Sequence, residues 1–238
     1  MDLPPHMQPF VRQVETRKAE RHGRSDLYLP DDTKRPAPAV VFVHGGPLPA
    51  AVQPRPSGWP VYQAYGSLCA GRGVVGVTLD HRLHDVNSYP AAADDVTEAV
   101  ELVRADPRVD ADRIALWFFS GGGPLTADWL RTPPAWLRCL AATYPVLDVL
   151  PDTDDRFRPA KAVAQAGDLP IVLTRVGLER PVIAATVTAF IEAARASNVR
   201  LEIIDVPNGQ HGFDTLDHTD ESRQAVTRAL DSVLRFLG

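Results

Sequence analysis

The chain has 238 residues, of which 45% are hydrophobic and 23% are charged, and its formal net charge is -5. This balance is typical of a globular protein with a core large enough to need no disulfide bonds. The negative charge, with no segment rich in Lys and Arg, argues against nucleic acid or an anionic membrane as a partner.

The two cysteines, Cys69 and Cys139, each lie in an apolar run. This placement favours small buried side chains over a disulfide bond or a zinc site. No apolar stretch reaches the roughly 20 residues that span a bilayer. The first residues also lack the basic and apolar regions of a signal peptide. We therefore expect a cytoplasmic protein.

The first thirty residues predict a β-hairpin. Strand-like segments cover residues 10–18 and 25–29, and His22 and Gly23 supply the turn between them. The next run, residues 39–43, is continuous, apolar and β-branched, which is typical of a strand buried on both faces.

The rest of the chain alternates between apolar strands and longer helical segments. The predicted strands are residues 39–43, 73–79, 114–119, 139–144, 171–176 and 201–206, and the predicted helices are residues 59–70, 90–104, 122–131, 181–196 and 222–237. Such alternation predicts a mostly parallel, twisted sheet, here preceded by the antiparallel hairpin. The connection between residues 144 and 171 is too short for a large lid domain. We expect one α/β domain over residues 1–238.

Ser120 is the strongest candidate for a reactive residue. It lies between a predicted buried strand and a predicted helix, and Gly121, Gly122 and Gly123 follow it. This pattern is typical of a nucleophile elbow, a tight turn that exposes a serine oxygen at the carboxyl edge of a sheet. The alternatives are a plain glycine-rich loop and a phosphate-binding loop, but no lysine follows the glycines, which argues against the latter.

A serine needs a base to take its proton, and His211 is the candidate. It follows the last predicted strand and is flanked by Gly209 and Gly212, which can present its ring to a cleft. A carboxylate must in turn orient the histidine. Glu179, which follows the fifth of the six buried strands, is the preferred acid, and Asp148 is the fallback.

The oxyanion of an acyl-transfer intermediate needs backbone donors. Gly121, directly after the serine, should supply one. The loop His44-Gly45-Gly46-Pro47 should supply the other, with Gly46 preferred and Gly45 as the alternative. Metal binding is the other reading of the histidines, since His81 and His84 lie three residues apart. Without further ligands nearby, we expect no metal site.

These residues resemble the α/β-hydrolase superfamily, in particular its small esterase and dienelactone-hydrolase-like branch. The glycine loop after His44 is similar to the oxyanion motif of that group. The segment Asp80-His81-Arg82-Leu83 is similar to its Asp-Tyr-Arg-Leu stretch, which we interpret as scaffold. The resemblance covers nearly the whole chain and implies a three-layer α/β-hydrolase fold.

Three departures from that pattern stand out. Phe118 occupies a position where the elbow usually has a small residue, and the acid is a glutamate where aspartate is usual. Dienelactone hydrolases proper use a cysteine nucleophile, so Ser120 favours carboxylic-ester chemistry.

The prediction is therefore a serine esterase for small substrates with short acyl groups. It forms an acyl-enzyme and requires no cofactor. Trp59, Phe119 and Phe213 are candidates to line its cleft, although aromatic residues more often belong to the core. A peptidase, thioesterase or acyltransferase could use the same residues, and a small-ligand-binding protein could keep the fold without catalysis. The sequence leaves a homodimer open.

Overall fold

An eight-stranded sheet runs through the molecule in the order β1-β2-β4-β3-β5-β6-β7-β8. The computed structural model describes residues 3–32, 34–148 and 154–238. The strands are β1 Glu20–His22, β2 Ser25–Tyr28, β3 Ala37–Val43, β4 Val75–Leu79, β5 Val109–Phe119, β6 Leu137–Thr143, β7 Ile171–Leu178 and β8 Leu201–Gln210. The helices are α1 Pro60–Ala70, α2 Tyr89–Ala105, α3 Thr126–Arg131, α4 Pro159–Ala162, α5 Pro181–Ala196, α6 Phe213–Leu216 and α7 Asp220–Leu237.

The sheet is parallel except at its start. Strand β2 pairs antiparallel with both β1 and β4, and every later pairing is parallel. The alternation of strand and helix in the sequence therefore predicted the architecture correctly.

The helices cover both faces of the sheet because successive side chains of a strand point to opposite faces. In β3, Val41 and Val43 pack into a core with α2 and α5, whereas Val40 and Phe42 pack into a second core with α1 and α7. Burial on both faces explains why the central strands are continuous apolar runs.

The predicted hairpin forms, but its first strand is β1 and not residues 10–18. Its turn contains Gly23, whose φ of 57° is in the left-handed region that glycine favours. Phe10 and Val11 are buried against the core on the α1 side. Their apolar character thus comes from packing, which produces the same short pattern as a strand.

The helix predicted over residues 122–131 begins later in the structure than the sequence indicated. The chain first makes a 3-10 helix at Ser120–Leu125, and α3 begins only at Thr126. Pro124 has no N–H, so it cannot donate the α-helical hydrogen bond to the carbonyl oxygen of Ser120. That oxygen instead accepts from the amide of Val146, at 2.9 Å.

The described part of the connection between β6 and β7 consists of short helical turns, and residues 3–32, 34–148 and 154–238 include no large lid domain. Within these same ranges, no helix combines the length and the apolar character needed to cross a membrane.

Candidate active site

Three loops at the carboxyl ends of β5, β7 and β8 bring the three predicted residues together. Ser120 directly follows β5, Glu179 directly follows β7 and His211 directly follows β8. Because these strands are parallel, their carboxyl ends lie at one edge of the sheet. Strand β8 continues four residues beyond the predicted end, which carries the chain to this edge just before His211.

The side chains of these three residues form a continuous hydrogen-bonded chain. The Oγ of Ser120 lies 2.7 Å from Nε2 of His211, and Nδ1 of His211 lies 2.6 Å from Oε2 of Glu179. A carboxylate can only accept, so Nδ1 of His211 carries the proton and Nε2 is free to accept from the serine hydroxyl. This is the tautomer that a general base next to serine requires.

Glu179 is held with both carboxylate oxygens engaged. Its side chain is only 4% exposed, and its Oε1 accepts from the backbone amide of Arg180 at 2.8 Å. The fallback acid, Asp148, forms an ion pair with Arg158 at 3.3 Å. The geometry therefore favours Glu179 as the partner of the histidine.

Ser120 sits on a strained turn. Its φ of 51° is in the left-handed region, where non-glycine residues are uncommon and usually held for a functional reason. Phe118, the bulky residue two positions before it, is fully buried in the core on the α2 side. The turn forms because that core accepts the ring.

The glycine loop after β3 touches the turn that holds Ser120. A Cβ on Gly121 would lie 1.8 Å from the carbonyl oxygen of Gly46, so only glycine fits there. The N–H of Gly45 donates to the hydroxyl of Tyr62 at 3.4 Å. Within the described ranges of the chain, no group accepts a hydrogen bond from the N–H of Gly46. Gly46 is therefore better placed than Gly45 to offer a free donor beside Gly121.

Two buried histidines support this loop from behind. The rings of His44 and His81 stack with their centroids 3.6 Å apart. Nδ1 of His44 donates to the carbonyl of Gly45 at 2.5 Å, and Nε2 of His81 donates to the carbonyl of His44 at 2.9 Å. The remaining ring nitrogens accept from the amides of His81 and Leu83, at 3.4 and 3.3 Å. Both rings are thus neutral, and burial lowers the pKa of His81 to about 4.

The rest of the segment similar to Asp-Tyr-Arg-Leu also makes structural contacts. Asp80 accepts from the amide of Ser57 at 2.9 Å, and the carboxylate of Asp95 accepts from the amide of Arg82 at 2.8 Å. In the part of the chain that the structure describes, no three His, Cys, Asp or Glu side chains are grouped as metal ligands.

A cavity of about 350 Å³ opens in front of Ser120 and His211. Its walls include the predicted Trp59, together with residues the sequence did not single out: His6, Leu48, Tyr62, Tyr144 and Arg180. The other two candidates, Phe119 and Phe213, do not line it: they are no more than 1% exposed and belong to the core, which was the alternative for both. Tyr144 follows the end of β6, which is the one sequence signal that could have indicated it.

Comparison with protein families supports these observations. The model of the dienelactone hydrolase family matches residues 79–238, two thirds of the chain. The chain belongs to the dienelactone hydrolase family. A second family model, BD-FAE, matches residues 25–128. The resemblance stated from sequence motifs is therefore confirmed, although the family motif here carries Ser120 where dienelactone hydrolases proper carry cysteine.

Individual relatives of this family member are distant. Carboxylesterase NlhH of Mycobacterium tuberculosis is 29% identical over 143 residues, which cover 53% of this chain and 40% of that protein. A probable isoprenylcysteine alpha-carbonyl methylesterase of Arabidopsis thaliana is 29% identical over 127 residues, which cover 50% of this chain and 24% of the relative. The chain thus spans less than half the length of either relative.

Among solved structures, Thermogutta terrifontis esterase 2 in its apo form superposes with a TM-score of 0.68 and 19% identity, covering 100% of this chain and 97% of that one. A putative dipeptidyl aminopeptidase IV of Bacteroides ovatus gives a TM-score of 0.71 and 18% identity, covering 87% of this chain and 33% of that one. At such identities the similarity shows the fold, which is that of an α/β-hydrolase.

Proposed function

We propose that this protein hydrolyses carboxylic esters, with Ser120 as nucleophile, His211 as general base and Glu179 as the acid that orients His211. The observation that carries the proposal is the chain of hydrogen bonds from Ser120 Oγ to His211 at 2.7 Å and from His211 to Glu179 at 2.6 Å. The esterase names of the curated relatives point to the same chemistry.

In the first half of the reaction, the Oγ of Ser120 attacks the ester carbonyl while Nε2 of His211 takes the hydroxyl proton. The carbonyl oxygen becomes an oxyanion, to which the N–H groups of Gly46 and Gly121 donate. The tetrahedral intermediate then collapses, the imidazolium gives its proton to the leaving alcohol, and the acyl group stays on Ser120.

In the second half, His211 takes a proton from water and the resulting hydroxide attacks the acyl-enzyme. Collapse of the second tetrahedral intermediate breaks the bond to Ser120 and releases the carboxylic acid, while the imidazolium returns its proton to the Oγ of Ser120. The protein's own groups supply every proton transfer, so the reaction needs no cofactor.

The cavity favours small substrates with short acyl groups. Its volume of about 350 Å³ and its walls of Leu48, Trp59 and Tyr62 suit a compact apolar group. Structures of Thermogutta terrifontis esterase 2 include butyrate-bound and propionate-bound forms. Both carboxylates are short-chain, in keeping with the preference proposed here.

We further infer that residues 1–238 act as one catalytic unit. In support, the two family models overlap over residues 79–128. The proposed residues Ser120, Glu179 and His211 also all lie within the longer match.

The test is turnover of p-nitrophenyl acetate, butyrate and decanoate by the wild-type protein, Ser120→Ala and Ser197→Ala. Ser197 is exposed at the end of α5 and serves as the matched control. We expect the two short esters to be hydrolysed faster than decanoate, and Ser120→Ala to lose at least about 10³-fold in kcat. Equal rates for Ser120→Ala and Ser197→Ala would refute the proposal.

A further inference from the structure

Asp214 is a fully buried carboxylate that the proposed reaction does not use. It lies in the short helix α6, three residues after His211. Its Oδ1 accepts from the hydroxyl of Tyr144 at 2.7 Å, and its Oδ2 accepts from the hydroxyl of Tyr65 at 3.1 Å. Burial raises the pKa of Asp214 to about 6, and the hydrogen bonds from the two tyrosines oppose that rise. Burying a carboxylate without hydrogen-bond partners would cost free energy, and the two tyrosine hydroxyls supply these partners.

Tyr144 connects this carboxylate to the proposed base. Its ring centroid lies 4.8 Å from that of the His211 imidazole, at an angle of 51° between the ring planes. Its φ of 38° is in the left-handed region, which is strained for an aromatic residue. Strain of this kind persists only where surrounding contacts hold the residue in place.

Tyr144 is buried, and its ring also packs against Phe119 and Phe213, whose centroids are 6.1 and 5.8 Å away. The residue lines the cavity in front of Ser120 and also a second cavity, of about 430 Å³, whose walls include Glu179. It therefore forms part of the wall of two spaces, one on the serine side of the imidazole and one on the acid side. Packing restrains the ring, and the hydrogen bond from its hydroxyl to Asp214 adds the directional contact that fixes its orientation against His211.

We propose that Tyr144, fixed by Asp214, is a positioning residue that holds the imidazole of His211 in line between Ser120 and Glu179. This inference rests on the proposed function, because it assigns Tyr144 a task only if His211 acts as the base. Tyr144 acts through His211 and donates no proton to the substrate. Small displacements of a catalytic group have large effects on rate, so a residue that fixes the position of the His211 imidazole affects kcat.

Tyr65 supplies a matched control. Its hydroxyl donates to the same carboxylate, and the residue is also buried. Its ring packs in the core against Phe10, Phe42, Trp117 and Phe119. It does not line the cavity in front of Ser120. Tyr65→Phe and Tyr144→Phe therefore each remove one hydroxyl from Asp214, but only Tyr144→Phe removes the directional contact of a ring that touches His211.

The kinetic test compares the two variants with the wild-type protein on p-nitrophenyl butyrate. We expect Tyr144→Phe to lower kcat on the order of tenfold with KM within about twofold, since the substrate cavity stays intact. Tyr65→Phe should keep kcat within about twofold of the wild type, although both variants lose one hydrogen bond and a similar amount of thermal stability. Equal kcat values for the two variants would overturn the proposal.

A second measurement does not depend on turnover. The Nδ1 proton of His211, hydrogen-bonded to Glu179, should give a downfield proton NMR resonance in the wild-type protein and in Tyr65→Phe. In Tyr144→Phe we expect this resonance to broaden or disappear because the imidazole moves and exchanges its proton faster. An unchanged resonance in Tyr144→Phe would contradict the positioning role. A sharp wild-type resonance in a protein that hydrolyses no ester would instead count against the proposed function alone.

Discussion

The imidazoles of His44 and His81 stack face to face, tilted by only 12°, beneath the glycine loop that we propose as part of the oxyanion hole. Each ring accepts a hydrogen bond from a backbone N–H, that of His81 or that of Leu83, and this requires both rings to be neutral. Protonating either ring would turn an accepting nitrogen into a donor facing a backbone N–H. The hydrogen bonds that support the loop are therefore those of neutral imidazoles.

This arrangement predicts acid sensitivity. The pKa of His81 is about 4 in the folded protein, because of burial, against 6.5 ordinarily. The unfolded chain therefore binds the proton first as the pH falls. The free energy of unfolding therefore has its full value above pH 6.5. It falls by about 3 kcal/mol as the pH falls towards 4.

The measurement is urea unfolding of the wild-type protein and His81→Phe at pH 7 and pH 4. The variant is expected to be less stable at pH 7, because it loses two hydrogen bonds. Its disadvantage should shrink by about 3 kcal/mol at pH 4. A difference that is the same at both pH values would contradict a neutral, buried His81.

Gly121 should tolerate no side chain. A Cβ there would lie 1.8 Å from the carbonyl oxygen of Gly46, so Gly121→Ala must push the two proposed oxyanion donors apart. We expect kcat to fall on the order of 10²- to 10³-fold, as for the loss of one oxyanion donor. Circular dichroism would separate this loss from a failure to fold.

The matched control is Gly71→Ala, at the end of α1. Gly71 has a helical φ of -64°, and the nearest atom to an added Cβ is 3.5 Å away. This variant should keep wild-type kcat. Full activity in Gly121→Ala would count against the oxyanion assignment.

Glu179 should be required for rate and not for substrate binding. Glu179→Gln keeps the shape of the side chain but removes the charge that stabilises the imidazolium and orients Nδ1 of His211. We expect kcat to fall on the order of 10²- to 10⁴-fold with little change in KM. Asp148→Asn, at the alternative acid, should retain most of the activity. The assignment fails if Asp148→Asn is the more damaging of the two in steady-state assays.

The sequence predicted the parts of the fold that depend on local pattern. Buried runs such as β3 and β4 stand out because both faces of the strand are apolar, and the predicted bounds of α5 agree with the structure because Pro181 opens that helix. The residues that follow strand ends were found for the same reason, since parallel strands bring Ser120, Glu179 and His211 to one edge.

The features that the sequence did not reveal depend on contacts between distant segments. Phe10 and Val11 look like part of a strand but pack against the α1 side of the sheet. Tyr144 lines the cavity only because the fold brings the end of β6 next to α6. Its hydrogen-bond partner Asp214 is 70 residues away along the chain. No local sequence pattern indicates such a pair. The delayed start of α3, in contrast, could have been predicted from Pro124.

The most direct test of the central claim is to map where a fluorophosphonate reacts with the protein. Mass spectrometry of the digested wild-type protein should place a single adduct on the peptide that contains Ser120, because His211 activates that hydroxyl alone. The adduct should be absent from Ser120→Ala and unchanged in Ser197→Ala. Labelling of another residue in the wild-type protein, or undiminished labelling of Ser120→Ala, would contradict the account.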